Sequence, residues 1–310
     1  MTGIALTPAD TTAAAPDDAR RPSLRQDLIA LTKPRIISLL LVTTAAPMWV
    51  AGSPRWTTVL LVMLGGYLMA GGANAVNMYL DRDIDDVMSR TRLRPIPSGR
   101  MTPQAVLAFG VLIATAATWM LAHFVNVLTA LLALAGFYFY VFVYTRWLKR
   151  SSPQNIVIGG AAGAFPPLVG WAAVTGSLDL TAWFLFLIVF YWTPPHFWAL
   201  ALLKQKDYGK AGVPMAPLVW GERETMNQML WYTVVLVALT LLPVLYGAFG
   251  WFYLASALVL NGLLAWGVQR MRTLDRQSEV WTKAAWWTYK YSLLYLALLF
   301  VAMGVDRALR

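Results

Sequence analysis

The chain has 310 residues, of which 58% are hydrophobic and 13% charged, with a net charge of +10 and no cysteine. A soluble domain carries about 25% charged residues, so this composition excludes an ordinary soluble protein, and the lack of thiols excludes disulfides and thiolate-held metals. The basic excess would suit nucleic acid, but its distribution along the chain fits the loops of a membrane protein.

Residues 1–30 are rich in Ala, Thr, Asp and Arg and have little to bury. A disordered polar tail is expected there. It does not resemble a signal peptide, because the first apolar run begins near Ile36 without an obvious cleavage site. Residues 31–310 then read as one polytopic unit. Nine apolar runs, near 36–52, 57–78, 104–121, 124–145, 155–175, 180–202, 227–246, 250–268 and 284–303, are long enough to cross a hydrocarbon core of about 30 Å. The predicted fold class is an all-α membrane protein with nine transmembrane helices.

Lys and Arg orient those helices. With the N-terminus in the cytoplasm, all of the 25 basic residues except Arg55, Lys290, Arg307 and Arg310 fall in the N-terminal segment or in the loops after spans two, four, six and eight. The positive-inside rule favours this topology, with the C-terminus outside and the cell membrane as location. The two longest loops lie four spans apart on the inner side, which suggests two similar halves. The chemistry is expected on that face.

Span two ends in "AVNMYLDRDIDDVMSRTRLRPIPSGR", residues 75–100. Asn77, Asp81 and Asp85 follow one another at i, i+4 and i+8. In a continuous helix each step turns only about 40° and rises about 6 Å, so the three form one stripe and Asp83 points elsewhere. Carboxylates at i, i+4 repel each other, and acids at a helix C-terminus oppose the dipole. A bound cation offsets both penalties. Two carboxylates and an amide suit Mg²⁺, which commonly brings a substrate phosphate with it; the alternative is a solvated helix end whose acids pair with nearby Arg. Pro95 and Pro97 hold the next stretch extended, and Arg90, Arg92, Arg94 and Arg100 present forks suited to phosphate, or to plain anchoring.

Further along, Lys149, Arg150 and Asn155 close span four and open span five, facing the same cavity. His196 follows Thr193-Pro194-Pro195 in span six, about 10 Å from the inner end. The prolines should kink that helix and free carbonyls. A histidine at such depth is a candidate contact or axial ligand for haem iron, or else a buried hydrogen-bonded residue. His123 is expected in a short outer loop, as an interface residue. Lys290, about two turns inside span nine, is expected to snorkel. A few of the 15 Trp, 13 Tyr and 13 Phe could stabilise a carbocation through a ring face.

The Asn77-x-x-x-Asp81-x-x-x-Asp85 motif at the inner end of the second of nine spans resembles that of the UbiA-type intramembrane prenyltransferases. "SSPQNIVIGGAAGAFPPLVGW" and "YWTPPHFWALALLKQKDYGKAGVPM" make the resemblance closer, the Pro-Pro-His-Phe-Trp-Ala-Leu and Asp-Tyr-x-x-x-Gly-Val-Pro-Met segments of the second pointing to the haem-modifying branch, and it runs from about residue 28 to 303. It implies that farnesyl diphosphate donates its C15 group to a vinyl of haem b, that water adds, and that haem O and diphosphate leave. It implies Mg²⁺ on Asn77, Asp81 and Asp85, with Asp207 as a further catalytic group. Diphosphate contacts are implied for Arg90, Arg94, Lys149, Arg150 and Lys204, and a haem contact for His196. Partners would be the bilayer and haem A synthase or haem-copper oxidase assembly, and no nucleic acid. Many members carry a second acid-rich motif after span six; here Lys204-Gln-Lys-Asp207-Tyr208 has one acid and two lysines. A quinone or chlorin prenyltransferase would share the first motif but not the Pro-Pro-His-Phe context. A transporter would place polar groups at mid-bilayer, and a haem carrier would be indifferent to Mg²⁺.

Overall fold

The computed structural model describes residues 22–310. The part of the expected tail up to residue 21 lies outside them. The remainder is not tail-like: Leu24–Thr32 forms a helix, α1, started by a capping box in which Ser23 and Gln26 exchange side-chain and backbone bonds.

The described residues contain nine helices long and apolar enough to span a membrane. In chain order, with the short helices between them, they are α2 (Pro34–Ala51), α3 (Trp56–Leu80), α4 (Arg82–Val87), α5 (Pro103–Phe124), α6 (Val127–Ser151), α7 (Asn155–Thr175), α8 (Leu180–Leu203), α9 (Gln205–Lys210), α10 (Ala216–Val219), α11 (Glu222–Leu245), α12 (Trp251–Thr273) and α13 (Glu279–Leu309). Starts are set by local chemistry. Pro34 and Pro103 stand at first-turn positions, where a missing N–H costs nothing, and Thr102, Asn126, Asp179 and Ser278 cap the next helices. Leu60, Leu112, Leu131, Leu245 and Leu298 are exposed. An exterior this apolar suits lipid and not water.

Successive long helices pack side by side, and α13 returns to pack on α2, closing a ring; α2 also packs on α7 and α8 on α13 through the middle. The main core, with Leu168, Leu185, Leu239, Leu264 and Phe300, lies where those helices meet. A second core under α9 and α10 joins Ile84, Met88, Trp198, Tyr208, Met215 and Trp281 at the end that carries the long loops. Small residues bring the backbones close. A Cβ on Gly72 of α3 would lie 2.6 Å from the Gly110 carbonyl oxygen of α5, so neither helix can back away from the other without losing the fit.

Polar groups at depth are tied across helices. Asn261 of α12 donates to Thr240 Oγ1 of α11 and accepts from the Tyr295 hydroxyl of α13, both at 2.8 Å. At the opposite end from the long loops, buried Asp306 of α13 accepts from the Gly250 and Tyr253 backbone N–H groups at 2.7 and 3.0 Å. One carboxylate thus satisfies two of the orphan donors that begin α12. His123 is not in a loop: it closes the last turn of α5, stacked on Trp119 at 5.4 Å.

Candidate active site

Span two does not run straight through its acids. Asp81 is the C-cap of α3 (φ −94°, ψ 8°), and α4 restarts at Arg82. The register nevertheless survives, because Asp81 N–H bonds to Asn77 C=O at 2.9 Å and Asp85 N–H to Asp81 C=O at 2.8 Å. Asn77, Asp81 and Asp85 therefore do share one buried stripe, with exposures of 4, 1 and 2%. Asp83 points away and is exposed, as the helical spacing predicts.

The stripe meets four basic groups from three other segments. Lys149, at the end of α6, donates to Asp81 Oδ2. Asn77 Nδ2 donates to the same oxygen at 2.7 Å and to Thr145 Oγ1 at 3.1 Å. Arg94 donates to Asp85 Oδ2 at 2.6 Å from the proline-braced loop. Arg150 clamps Asp83 with two bonds of 2.7 Å and lies 3.8 Å from Asp81 Oδ1. Lys33, between α1 and α2, donates to Asn77 Oδ1 at 3.2 Å. The acids are thus neither solvated nor unpaired: the repulsion expected along the stripe is offset by the protein's own cations.

Two of these contributors were not legible as site residues. Lys33 is the only non-glycine with positive φ among the described residues (φ 54°), a costly conformation for a side chain with a Cβ. Burial of its ammonium, reinforced by Arg94 and Lys149, lowers its pKa from 10.5 to about 7. Thr145 lies in a π-helical stretch of α6, Phe139–Leu148, and donates to the Tyr140 carbonyl five residues back. Such wide turns recur at functional sites. The only sequence signals were a lysine placed just before the first proline of a span and a hydroxyl in an aromatic run.

The loop after α8 closes over the same end. Asp207 accepts from Ser89 Oγ at 3.1 Å, and Arg90 donates to the Tyr208 hydroxyl at 3.1 Å. Burial raises the Tyr208 phenol, with Arg90 opposing it. Lys204 lies 5.8 Å from the Trp286 ring centroid, a cation–π contact. Arg100 turns from the site to bind buried Asp27. Arg92 and Lys290 are exposed. Asn155 is fully buried, and neither of its amide atoms has a partner.

His196 has no hydrogen bond to this cluster. Its Nδ1 lies 2.7 Å from Ser292 Oγ of α13, and not against a carbonyl freed by Pro194 or Pro195. Its ring is stacked between Trp192 (4.4 Å) and Tyr289 (5.0 Å).

No cluster of three His, Cys, Asp or Glu side chains stands among the described residues. The donor set here is two carboxylates and one amide. One atom in it is orphaned: Asp81 Oδ1 is buried and has no hydrogen-bond partner. A buried anionic oxygen with no hydrogen bond, and only the distant Arg150 at 3.8 Å, suits a hard cation.

Residues 39–304 match the model of the UbiA prenyltransferase family. The chain belongs to that family. A curated relative, the protoheme IX farnesyltransferase of Roseiflexus castenholzii, is 57% identical over 290 residues, which is 93% of this chain and 53% of the relative. The chain thus spans about half the length of that relative. The protoheme IX farnesyltransferase of Symbiobacterium thermophilum is 53% identical, covering 91% of this chain and 94% of its own length. Among solved structures, a UbiA homolog from Archaeoglobus fulgidus bound to DMAPP and Mg²⁺ superposes with a TM-score of 0.63 at 14% identity, covering 90% of this chain and 99% of that one. Membership and nine apolar helices make the chain a multi-pass membrane protein of UbiA-type fold.

Proposed function

We propose that this chain transfers the farnesyl group of farnesyl diphosphate to a vinyl group of protohaem IX, with addition of water, giving haem O and diphosphate. The observation that carries this reading is the buried Asn77–Asp81–Asp85 stripe ringed by Lys33, Arg94 and Lys149, in a chain more than half identical to a protoheme IX farnesyltransferase along nearly its whole length. The loop-rich end is the cytoplasmic face of the cell membrane, with the C-terminus outside, by the bias of Lys and Arg. Residues 31–310 form the catalytic unit. Enzymes of haem A synthesis and haem-copper oxidase assembly are the natural consumers of the product.

Asn77, Asp81 and Asp85 would hold Mg²⁺, and the unpartnered Asp81 Oδ1 supports that fit. A bound Mg²⁺ supplies Lewis-acid stabilisation of the departing diphosphate. The chain's own residues do the rest. Arg94 and Lys149 exchange their carboxylate partners, and Lys33 its Asn77 amide oxygen, for phosphate oxygens, with Arg90, Arg150 and Lys204 at the margin. They stabilise charge as the C1–O bond of the donor weakens. The haem vinyl, held close, attacks the allylic cation. Apolar walls exclude water until the new carbon–carbon bond has formed. Water then adds to the porphyrin-stabilised cation and loses a proton. Asp207, held by Ser89, fastens the second loop over the first.

The test is conversion by purified protein in lipid, supplied with farnesyl diphosphate, Mg²⁺ and either haem b or 4-hydroxybenzoate. Mass spectrometry should find haem O and no prenylated benzoate. Prenylated benzoate without haem O would overturn the assignment.

A further inference from the structure

The surroundings of His196 determine which of its nitrogens carries the proton. Ser292 Oγ lies 2.7 Å from His196 Nδ1 and 2.7 Å from the Tyr289 carbonyl oxygen. A hydroxyl has one proton, and a carbonyl can only accept. Both contacts are satisfied together only if Ser292 donates to Tyr289 and accepts from His196. The imidazole is then the Nδ1–H tautomer, and Nε2 keeps its lone pair.

Everything else about the ring leaves that lone pair as its one free polar atom. Trp192 covers one face at 4.4 Å and 11°, and Tyr289 the other at 5.0 Å and 19°. Trp192 is itself fixed, its indole N–H donating to the Ser292 carbonyl at 2.8 Å. Ser292 thus anchors His196 through its hydroxyl and Trp192 through its backbone carbonyl, and is fully buried. Nε2 has no hydrogen-bond partner, and His196 is only partly buried. A histidine clamped on both faces, with one nitrogen committed to a buried hydroxyl and the other unpaired, has the arrangement that orients a metal-ligating imidazole.

We infer that Ser292 is a positioning residue that locks His196 in the Nδ1–H tautomer, so that Nε2 serves as an axial ligand to the iron of a metalloporphyrin substrate. The identity of the ligand rests on the haem reading above; the tautomer does not. Iron held at Nε2 fixes the macrocycle's centre and one axis, which limits the vinyl positions that can reach the prenyl donor.

Two measurements test this. The first is ¹⁵N-histidine NMR of the His123→Gln protein, which leaves a single imidazole. At neutral pH the pyridine-type nitrogen should couple to both ring protons, which marks it as Nε2. Ser292→Ala should shift the signal toward the Nε2–H form and Ser292→Thr should restore it, with thermal melts showing that each variant is folded. A wild-type Nε2–H tautomer overturns the locking role. The second is titration of ferric haem b into the full chain, followed by Soret absorption and electron paramagnetic resonance. His196→Ala should lose the nitrogen-ligated spectrum, imidazole should restore it, and Ser292→Ala should weaken haem binding about tenfold. Binding with an unchanged spectrum in His196→Ala overturns only this inference. No haem binding by the wild type overturns the functional reading as well.

Discussion

Lys149 is bonded to Asp81 through Oδ2, the same oxygen that accepts from Asn77, while Oδ1 of that buried carboxylate has no hydrogen bond. One oxygen of Asp81 is therefore held closely by the protein, while the other has only Arg150 at 3.8 Å and no hydrogen bond. This asymmetry separates a group that holds the fold from one that awaits a ligand.

Asp81→Asn and Asp85→Asn are expected to lower product formation at least about 100-fold, since each removes charge where the leaving group must be held. The protein should still insert, because the amide keeps the shape. Haem extraction and mass spectrometry measure the effect; near-normal haem O in either variant would sink the metal assignment.

Asp83 sits two residues from Asp81 but is exposed and bound by Arg150. Asp83→Asn should leave activity within about twofold and cost no more than ~1 kcal/mol, as for other exposed pairs. The Arg150 bonds depress its carboxyl from 3.8 to about 2. The folded state therefore binds this proton less readily than the unfolded chain. The pair's small contribution is complete above about pH 4 and is lost as pH falls through about 2. Melting curves of wild type and variant should converge over that window.

Asp306 caps α12 from α13 at the far end of the bundle. Asp306→Ala should destabilise by about 1–2 kcal/mol, the usual cost of a lost cap, read as a lower melting temperature in detergent. At temperatures where it stays folded, turnover should match wild type, since the site lies at the other end.

Gly72→Ala places a methyl group 2.6 Å from the Gly110 carbonyl oxygen. The α3–α5 pair must separate, at a cost of about 1–3 kcal/mol. Because α3 carries Asn77, activity should fall together with stability, unlike the Asp306 variant.

The nine spans were legible because each is a long run of apolar residues, and the stripe because helical spacing survives the break at Asp81. Boundaries shifted where capping outweighs hydropathy. Asn126 starts α6 by accepting from Thr129, so the turn falls at 125–126 and not near 122. The short α1 mixes apolar and polar residues, is too short to read as a span, and is signalled by Ser23 and Gln26, a capping pair that hydropathy does not register. His196 stood out as an imidazole at depth, but its partner did not: Ser292 is one hydroxyl in an apolar run, 96 residues away. Lys33 and Thr145 were hidden for the same reason. Contacts between distant segments leave no periodic trace.

The self-neutralised stripe has a consequence for how the chain can be altered. Lys149 and Arg94 bury the acids without help from any ligand, so insertion need not wait for metal. The same arrangement makes the charges interdependent. Deleting one acid strands a cation among apolar helices, whereas removing Asp81 and Lys149 together leaves no orphan charge. Such a double replacement should yield an inert but well-assembled protein, a scaffold emptied of chemistry with its architecture intact.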